Sequence, residues 1–378
     1  MNSRKKKILF IVSNLKIGGG AERVVALISN EISKNHDVRV LTFYNFKNEY
    51  KTNFKRINLN FNYTQNSFVK IFRLMFIIPF YINSYLNKHT FDIVISHAED
   101  ANVSSLLTKW ICFKKFNLWT TIHNNLDSSI YRHLDFLHTK ANKIITVSDE
   151  LKIKYQNKFK TKNVKSILNP LDFSDISIKE EEKVNEKIEK FVGKSKLLLN
   201  IGRLSEQKNQ TFLIEIFKEI RKKRDDVKLI IFGDGPKKQE LQSLINTYSM
   251  QNDILLAGLT NNVFKYFKRC DMFVLSSRFE GFPMVLLEAL SVGTTIISND
   301  CPTGPREILA NSVSLKVKKF EKVKYGYLVP FNNKQEFVKG INYILDNPNN
   351  EELLYRKRAK EFSVENIAKK WEKEFTKK

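Results

Sequence analysis

Met272-Phe-Val-Leu-Ser-Ser-Arg-Phe-Glu-Gly-Phe-Pro-Met-Val-Leu-Leu-Glu-Ala-Leu290 passes from a short apolar run, through a Gly-Pro turn, into an amphipathic stretch. Met272–Leu275 reads as a buried strand. Gly281 permits a tight loop, and Pro283 suits the first turn of a helix that runs to Leu290. Strand, loop and helix form one unit of a parallel α/β sheet. The amides around Gly281 and at the helix start can receive an anionic phosphate. Glu280 lies in the loop, and Glu288 stands about one and a half turns into the helix. The two carboxylates can therefore reach different hydroxyls of one extended ligand. The plainer alternative is a surface turn with Glu288 in water.

The same unit repeats along the chain. In the second half, strands are expected at Lys196–Ile201, Lys228–Phe232, Ile254–Leu256 and Thr295–Ser298. Helices are expected there at Asn209–Lys223, Lys237–Ser249 and Val263–Arg269. In the first half the strands are Lys7–Val12, Val38–Phe43, Ile93–Ser96, Leu118–Ile122, Ile144–Val147 and Ser166–Leu168. Glu22–Lys34 and Ala101–Trp110 are helical stretches between them. The restart follows a charged stretch, Lys179–Lys190, and the boundary falls near Asn169-Pro170. Asn350–Lys378 reads as two helices. The expected fold class is α/β, with two Rossmann-like domains at residues 1–170 and 171–355 and a C-terminal helix at 356–378. A chain of 378 residues suits two such domains. Ligands bind at the carboxyl ends of strands in these sheets, which places the site in a cleft between two facing domains.

The formal net charge is +24. Residues 1–170 hold 27 Lys/Arg against 11 Asp/Glu, a net of +16, leaving +8 for residues 171–378. A field of this sign favours an anionic partner such as a phospholipid surface or a phosphorylated substrate. It also keeps a protein soluble. No nucleic-acid module or aromatic-basic repeat accompanies it, so nucleic acid is not the expected partner. Cys112, Cys270 and Cys301 are far apart and lack paired metal spacing, a reduced, cytoplasmic pattern. Lys5-Lys6-Lys7 followed by Ile8–Val12 reads as a first strand and not as a signal peptide. In Phe68–Ile82 the uninterrupted apolar core is Leu74–Ile82, short of the roughly 20 residues a membrane span needs. It either lies in a bilayer interface, with Lys70, Arg73 and Lys88 at headgroups, or packs on the sheet, kinked near Pro79.

The Glu280–Glu288 segment resembles the E-x7-E motif of the retaining family 4 glycosyltransferases, which have the GT-B fold. Gly18-Gly-Gly-Ala-Glu-Arg-Val24 resembles the family's glycine loop and following helix. Ile145-Thr-Val-Ser-Asp-Glu150 and Asn169-Pro-Leu-Asp172 resemble the segments that close the first domain and turn into the second. Asn200-Ile-Gly-Arg-Leu-Ser-Glu-Gln-Lys-Asn209 resembles the donor-phosphate motif. Phe232-Gly-Asp-Gly-Pro236 and Gly326-Tyr-Leu-Val-Pro330 complete the set. Each is weak alone; order and spacing together are specific.

The resemblance implies a C-terminal helical tail that packs back toward the first domain. It implies that Arg203 and Lys208 grip the diphosphate of a nucleotide-sugar donor, a substrate and not a cofactor, and stabilise the charge on the leaving group. Glu288 would hold the ribose hydroxyls and Glu280 a hydroxyl of the transferred sugar. The amides of Gly281, Phe282 and Met284 would line that sugar, beside Pro283, which has no amide to offer. Gly233 and the turn at Gly258 to Asn261 would border the base. Gly19 and Gly20 would let the backbone approach the diphosphate. His123, at a strand's carboxyl end, would contact the transferred sugar and support the transition state; its neighbour Asn124 stands where relatives often carry Asp. Cys301-Pro-Thr-Gly-Pro-Arg-Glu-Ile-Leu309 resembles a version found in bacterial enzymes of surface polysaccharide or lipid-linked oligosaccharide synthesis. A UDP-linked hexose or N-acetylhexosamine donor, a polyprenyl-diphosphate-linked glycan acceptor and attachment to the inner face of the cytoplasmic membrane follow as expectations. No metal is expected, since no Asp-x-Asp occurs. A sugar-nucleotide 2-epimerase of the same fold and a non-catalytic, anionic-lipid-binding relative are the competing readings.

Overall fold

The computed structural model describes residues 4–111, 115–123 and 132–377. It falls into two compact units: residues up to Pro170 together with those from Val364 onward, and Leu171–Ser363.

The first unit holds seven parallel strands: β1 (Lys7–Val12), β2 (Asp37–Tyr44), β3 (Lys55–Phe61), β4 (Ile93–His97), β5 (Leu118–Ile122), β6 (Lys143–Thr146) and β7 (Val164–Ser166). Their order is β3-β2-β1-β4-β5-β6-β7. Both faces are covered, so the central strands are buried along nearly their whole length. In β1, Ile8, Phe10 and Val12 enter one core and Leu9 and Ile11 the other. The first core is covered by the helices Gly20–Ile32 and Val364–Thr376. Ile367, Trp371 and Phe375 of the last helix are buried in it.

The second core is covered by Glu99–Ile111 and by a continuous helical stretch, Ser67–Lys88. That stretch has 22 residues and is long and apolar enough, by length and composition, to cross a membrane. It is longer than its sequence core suggests, because Ser67–Phe72 and a π-helical turn at Arg73–Ile77 continue into Ile78–Lys88. Leu74, Ile78, Ile82 and Leu86 sit in the domain core, so one face of this helix packs on the sheet while another is exposed.

The second unit repeats the design with β8 (Lys196–Ile201), β9 (Val227–Phe232), β10 (Ile254–Gly258), β11 (Met272–Leu275), β12 (Ile296–Asn299), β13 (Glu321–Val323) and β14 (Gly326–Val329). The order is β10-β9-β8-β11-β12-β14-β13, with only the β13–β14 pair antiparallel. Strand order reverses between β1 and β4 in one unit and between β8 and β11 in the other. Crevices form at such points.

Two sequence expectations are corrected. The strand expected at Ser166–Leu168 runs Val164–Ser166, in register with β6. The final unit boundary lies at Ser363/Val364 and not at 355/356, because Glu352–Lys360 packs within the second unit, where Arg356 pairs with Glu180 at 2.8 Å. The charged stretch Lys179–Lys190 carries parts of the helices Ile176–Glu180 and Glu186–Val192, tied to the second unit through Arg269–Glu189.

Candidate active site

In the second unit the loops after β8 and β11 meet at the switch point. The β11 loop is held from two sides. The Arg278 amide donates to the Gln207 carbonyl at 2.8 Å, and Gln207 Nε2 donates to the Phe279 carbonyl at 3.0 Å. On the other side the Glu280 amide donates to the Pro302 carbonyl at 2.8 Å. Thr303 Oγ1 donates to the carbonyls of Glu280 and Gly281. Asn299 Nδ2 donates to the Ser277 carbonyl at 3.1 Å.

Gly304 closes this clamp with φ +96; a Cβ there would stand 2.4 Å from Pro283 Cδ. Both the left-handed backbone and the close approach demand glycine. The Cys301–Pro305 loop is thus the brace of the Glu280 loop. Asp300 anchors it through a two-pronged pair with Arg306, each N–O distance 2.9 Å. Cys301 is fully buried, and burial pushes its thiol well up, so it is inert.

Within this frame the Glu280 carboxylate is 6% exposed. Its Oε1 accepts from Lys208 Nζ at 2.7 Å and from Ser277 Oγ at 2.6 Å. A buried carboxylate needs such partners. The sequence assigned Lys208 and Glu280 to different parts of a ligand; the structure joins them. The ammonium has three donors, so one bond to Glu280 leaves two. The other Glu280 oxygen is spare for a hydroxyl. Arg203 is exposed, and its backbone carbonyl is held by Gln210 Nε2 at 3.1 Å.

Pro283 is the residue before the helix Met284–Ser291, whose start is therefore one residue later than expected. Gly281, Phe282 and Pro283 are buried, Met284 partly so, and Glu288 is half-buried on that helix. Gly233 takes φ +148, and a Cβ would lie 1.9 Å from the Gly202 carbonyl oxygen. Its amide donates to the Gly258 carbonyl at 2.7 Å. The ends of β8, β9 and β10 are thereby drawn together backbone to backbone.

In the first unit a pocket of about 260 Å³ opens at the end of β4 and β5, lined by Ser13, Glu22, Glu99, Asp100, Thr121 and His123 among others. Burial pushes the His123 imidazole down to about 4. Its Nε2 lies 3.2 Å from Thr121 Oγ1 and 3.3 Å from His97 Nδ1. The Thr121 hydroxyl donates its proton to the Ser96 carbonyl at 3.0 Å. Both contacts fall on Nε2, where donor and acceptor roles follow the tautomers of the two imidazoles. His97 is 1% exposed, stacked 5.6 Å from Phe10, and its Nε2 has no partner among the described residues. Asn102 underpins the pair, accepting from Ser96 Oγ at 2.6 Å and donating to the Thr121 carbonyl at 2.7 Å. The sequence reading missed His97, although it ends a buried strand just as His123 follows one. Asn124 lies outside the described residues.

The glycine loop holds a second finding. Gly19 has an ordinary φ of −89; its missing side chain makes room for Glu22, whose Oε2 would be 2.0 Å from a Cβ there. Burial raises the Glu22 carboxyl. The space expected for a diphosphate at Gly19 holds a carboxylate, while Gly20 faces open space.

Residues 181–362 match the model of the glycosyl transferases group 1, and residues 18–175 that of glycosyltransferase family 4. An uncharacterized glycosyltransferase of Methanocaldococcus jannaschii is 36% identical over 74% of this chain and 78% of its own. The Campylobacter jejuni N-acetylgalactosamine-N,N'-diacetylbacillosaminyl-diphospho-undecaprenol 4-alpha-N-acetylgalactosaminyltransferase is 27% identical, covering 93% and 94% of the two chains. Among solved structures, HepE of Anabaena in complex with UDP superposes with a TM-score of 0.75 over 98% of this chain and 99% of its own, at 18% identity.

Proposed function

The chain belongs to the group 1 glycosyltransferases, with a family 4 first domain and the GT-B fold, and from that premise we propose that it transfers a hexose or N-acetylhexosamine, with retention of configuration, from a UDP-linked donor to a polyprenyl-diphosphate-linked glycan. The observation that carries the donor half is the Lys208–Glu280–Ser277 cluster braced at the switch point of the second sheet. Glu280 offers one oxygen to a hydroxyl of the transferred sugar. Lys208 offers its remaining donors, and Arg203 its exposed fork, to the diphosphate. As the sugar departs, negative charge grows on that diphosphate, and the two fixed cations oppose it without a divalent ion. Glu288 takes the ribose. His123 takes a hydroxyl at the reacting end. The N-acetylgalactosaminyl donors and diphospho-undecaprenol acceptors named for the Campylobacter enzymes support an N-acetylhexosamine donor and a lipid-linked acceptor.

The acceptor's lipid supports attachment to the inner face of the cytoplasmic membrane. The solvent face of Ser67–Lys88 presents Phe68, Phe72, Phe76 and Phe80, all exposed. Two of the three cations expected at headgroups are engaged within the protein: Lys70 pairs with Asp100 at 2.9 Å, and Arg73 donates to the Asn62 carbonyl at 2.6 Å, while Lys88 is exposed. This support is aromatic more than ionic.

The test is a screen of UDP-, GDP- and dTDP-linked sugars for nucleotide diphosphate release, with and without a chelator. UDP released from a UDP-hexose or UDP-N-acetylhexosamine, unaffected by chelation, is the expected result. An epimerised donor with no release would favour the epimerase, and no turnover of any donor the lipid-binding relative.

A further inference from the structure

Beside the glycine loop the first unit holds an open cleft of about 490 Å³ lined by Asn14, Lys16, Phe46, Tyr63 and Gln65. It shares Glu22 with the His123 pocket, so the two are neighbours.

Its walls are pinned. The Ile17 amide donates to the Asn48 carbonyl at 3.1 Å, and the Tyr50 amide to the Leu15 carbonyl at 2.9 Å. These bonds lace the loop after β1 to the segment after β2. Glu49, paired with Arg56, accepts the Phe46 amide at 3.0 Å. The Phe46 and Tyr63 ring centroids are 5.5 Å apart, and the Lys16 ammonium stands 5.2 Å over Phe46. Tyr63 also packs edge-on against buried Tyr44 at 5.7 Å, and Arg73 holds the Asn62 carbonyl next to it. Yet Tyr63 leaves 55% of its surface in water.

A ring fixed by its neighbours but open to solvent is a ready stacking surface. A pyranose presents C–H groups on its faces and hydroxyls at its edge. Tyr63 suits the face, and the Gln65 amide with the Glu22 carboxylate suits the edge. The neighbouring pocket adds Glu99 and Asp100. Glu22 and Glu99 can accept from sugar hydroxyls, while Asp100 is already paired with Lys70. We infer that the cleft is a saccharide subsite for the acceptor, with a sugar ring stacked on Tyr63 and its glycosylated end directed toward His123.

The inference rests on the transfer reading, and two probes keep their failures apart. Saturation-transfer NMR on the full chain would use methyl glycosides of glucose, galactose, N-acetylglucosamine and N-acetylgalactosamine for the cleft. UDP is the separate probe of the donor site. At least one glycoside should receive saturation from the wild type. Tyr63→Ala should weaken it about three- to tenfold, while Tyr63→Phe keeps it, and UDP affinity should stay the same in both variants. No glycoside bound, equal binding to Tyr63→Ala, or UDP competing for the same ring would overturn the subsite. Absence of UDP binding with glycoside binding intact would instead overturn the donor reading.

Discussion

At the scale of single residues, Arg203 and Lys208 share a loop and a predicted ligand but differ in what holds them. Arg203 is exposed, whereas Lys208 neutralises a carboxylate that is 6% exposed. Removing Arg203 takes away only transition-state charge. Arg203→Ala should lower kcat/KM by about a hundredfold and leave stability within about 0.5 kcal/mol. Lys208→Ala should abolish turnover and also cost about 3 kcal/mol, because Glu280 stays behind unpaired. Denaturant unfolding separates the two, and Lys208→Ala combined with Glu280→Ala should recover part of the loss. Equal stability of the two single variants would contradict this account. The imidazoles make a second prediction. Burial lowers His97 well below its ordinary value, and His123 and His138 to about 4. The unfolded chain protonates all three below about 6.5, where the folded chain does not. The unfolded state therefore binds more protons between pH 6.5 and 4, and stability is complete above 6.5 and lost as pH falls through that window. The urea midpoint measured from pH 8 to 4 should be flat and then fall, and His138→Gln should soften the fall.

At the scale of elements, the stretch Ser67–Lys88 was ambiguous in sequence because periodicity does not say which medium covers a face. The structure gives it both a core face and an aromatic one. Phe68, Phe72, Phe76 and Phe80 recur every four residues, a spacing that drifts about 40° per step on an ordinary helix. The wider π turn at Arg73–Ile77 offsets that drift and keeps Phe72 and Phe76 together, 5.4 Å apart. Replacing both by serine should lower partition onto phosphatidylglycerol vesicles about tenfold, with the unfolding midpoint unchanged, since both rings are exposed. Because the contact is aromatic, the wild type should keep part of its binding in high salt. Unchanged sedimentation of the double variant would remove the helix from the membrane surface. Other elements were legible in proportion to their burial. Ile8–Val12 and Leu197–Leu199 are buried on both faces and read as strands at sight. Lys55-Arg-Ile-Asn-Leu-Asn-Phe61 is an edge strand, half in water, and its polar residues hid it. The site divides the same way. Glu280 and Lys208, which the structure pairs, were named from motif spacing, as were Arg203 and Glu288. Asn299 and Thr303 were not, because their work depends on a β12 loop that only the folded sheet brings beside β11.

At the scale of the molecule, the last helix belongs to the first domain, so the chain leaves that domain at Pro170 and returns to it at Val364. The return is built into the core and is not a surface strap. Trp371 is 3% exposed, with ring centroids 6.0 Å from His97 and 6.3 Å from Phe375. Phe375 lies 5.7 Å from Trp119 of β5. Glu374 adds an ion pair with Lys143 at 3.0 Å, itself over the Trp119 ring. A residue near the chain end therefore supports the floor beneath the His97–His123 pair, while the Lys208–Glu280 cluster belongs to the other domain. Trp371→Ala opens a cavity in the first core alone and should cost that domain about 3–5 kcal/mol. Unfolding followed by the remaining tryptophans, Trp110 and Trp119, both in the first domain, should shift to lower denaturant. UDP affinity, which reads the second domain, should hold until that domain's own transition. Acceptor-dependent turnover should fall before donor hydrolysis does. If tryptophan emission and UDP binding instead shifted together, the two domains would be one cooperative unit, and the division of labour argued from their separate cores would not stand.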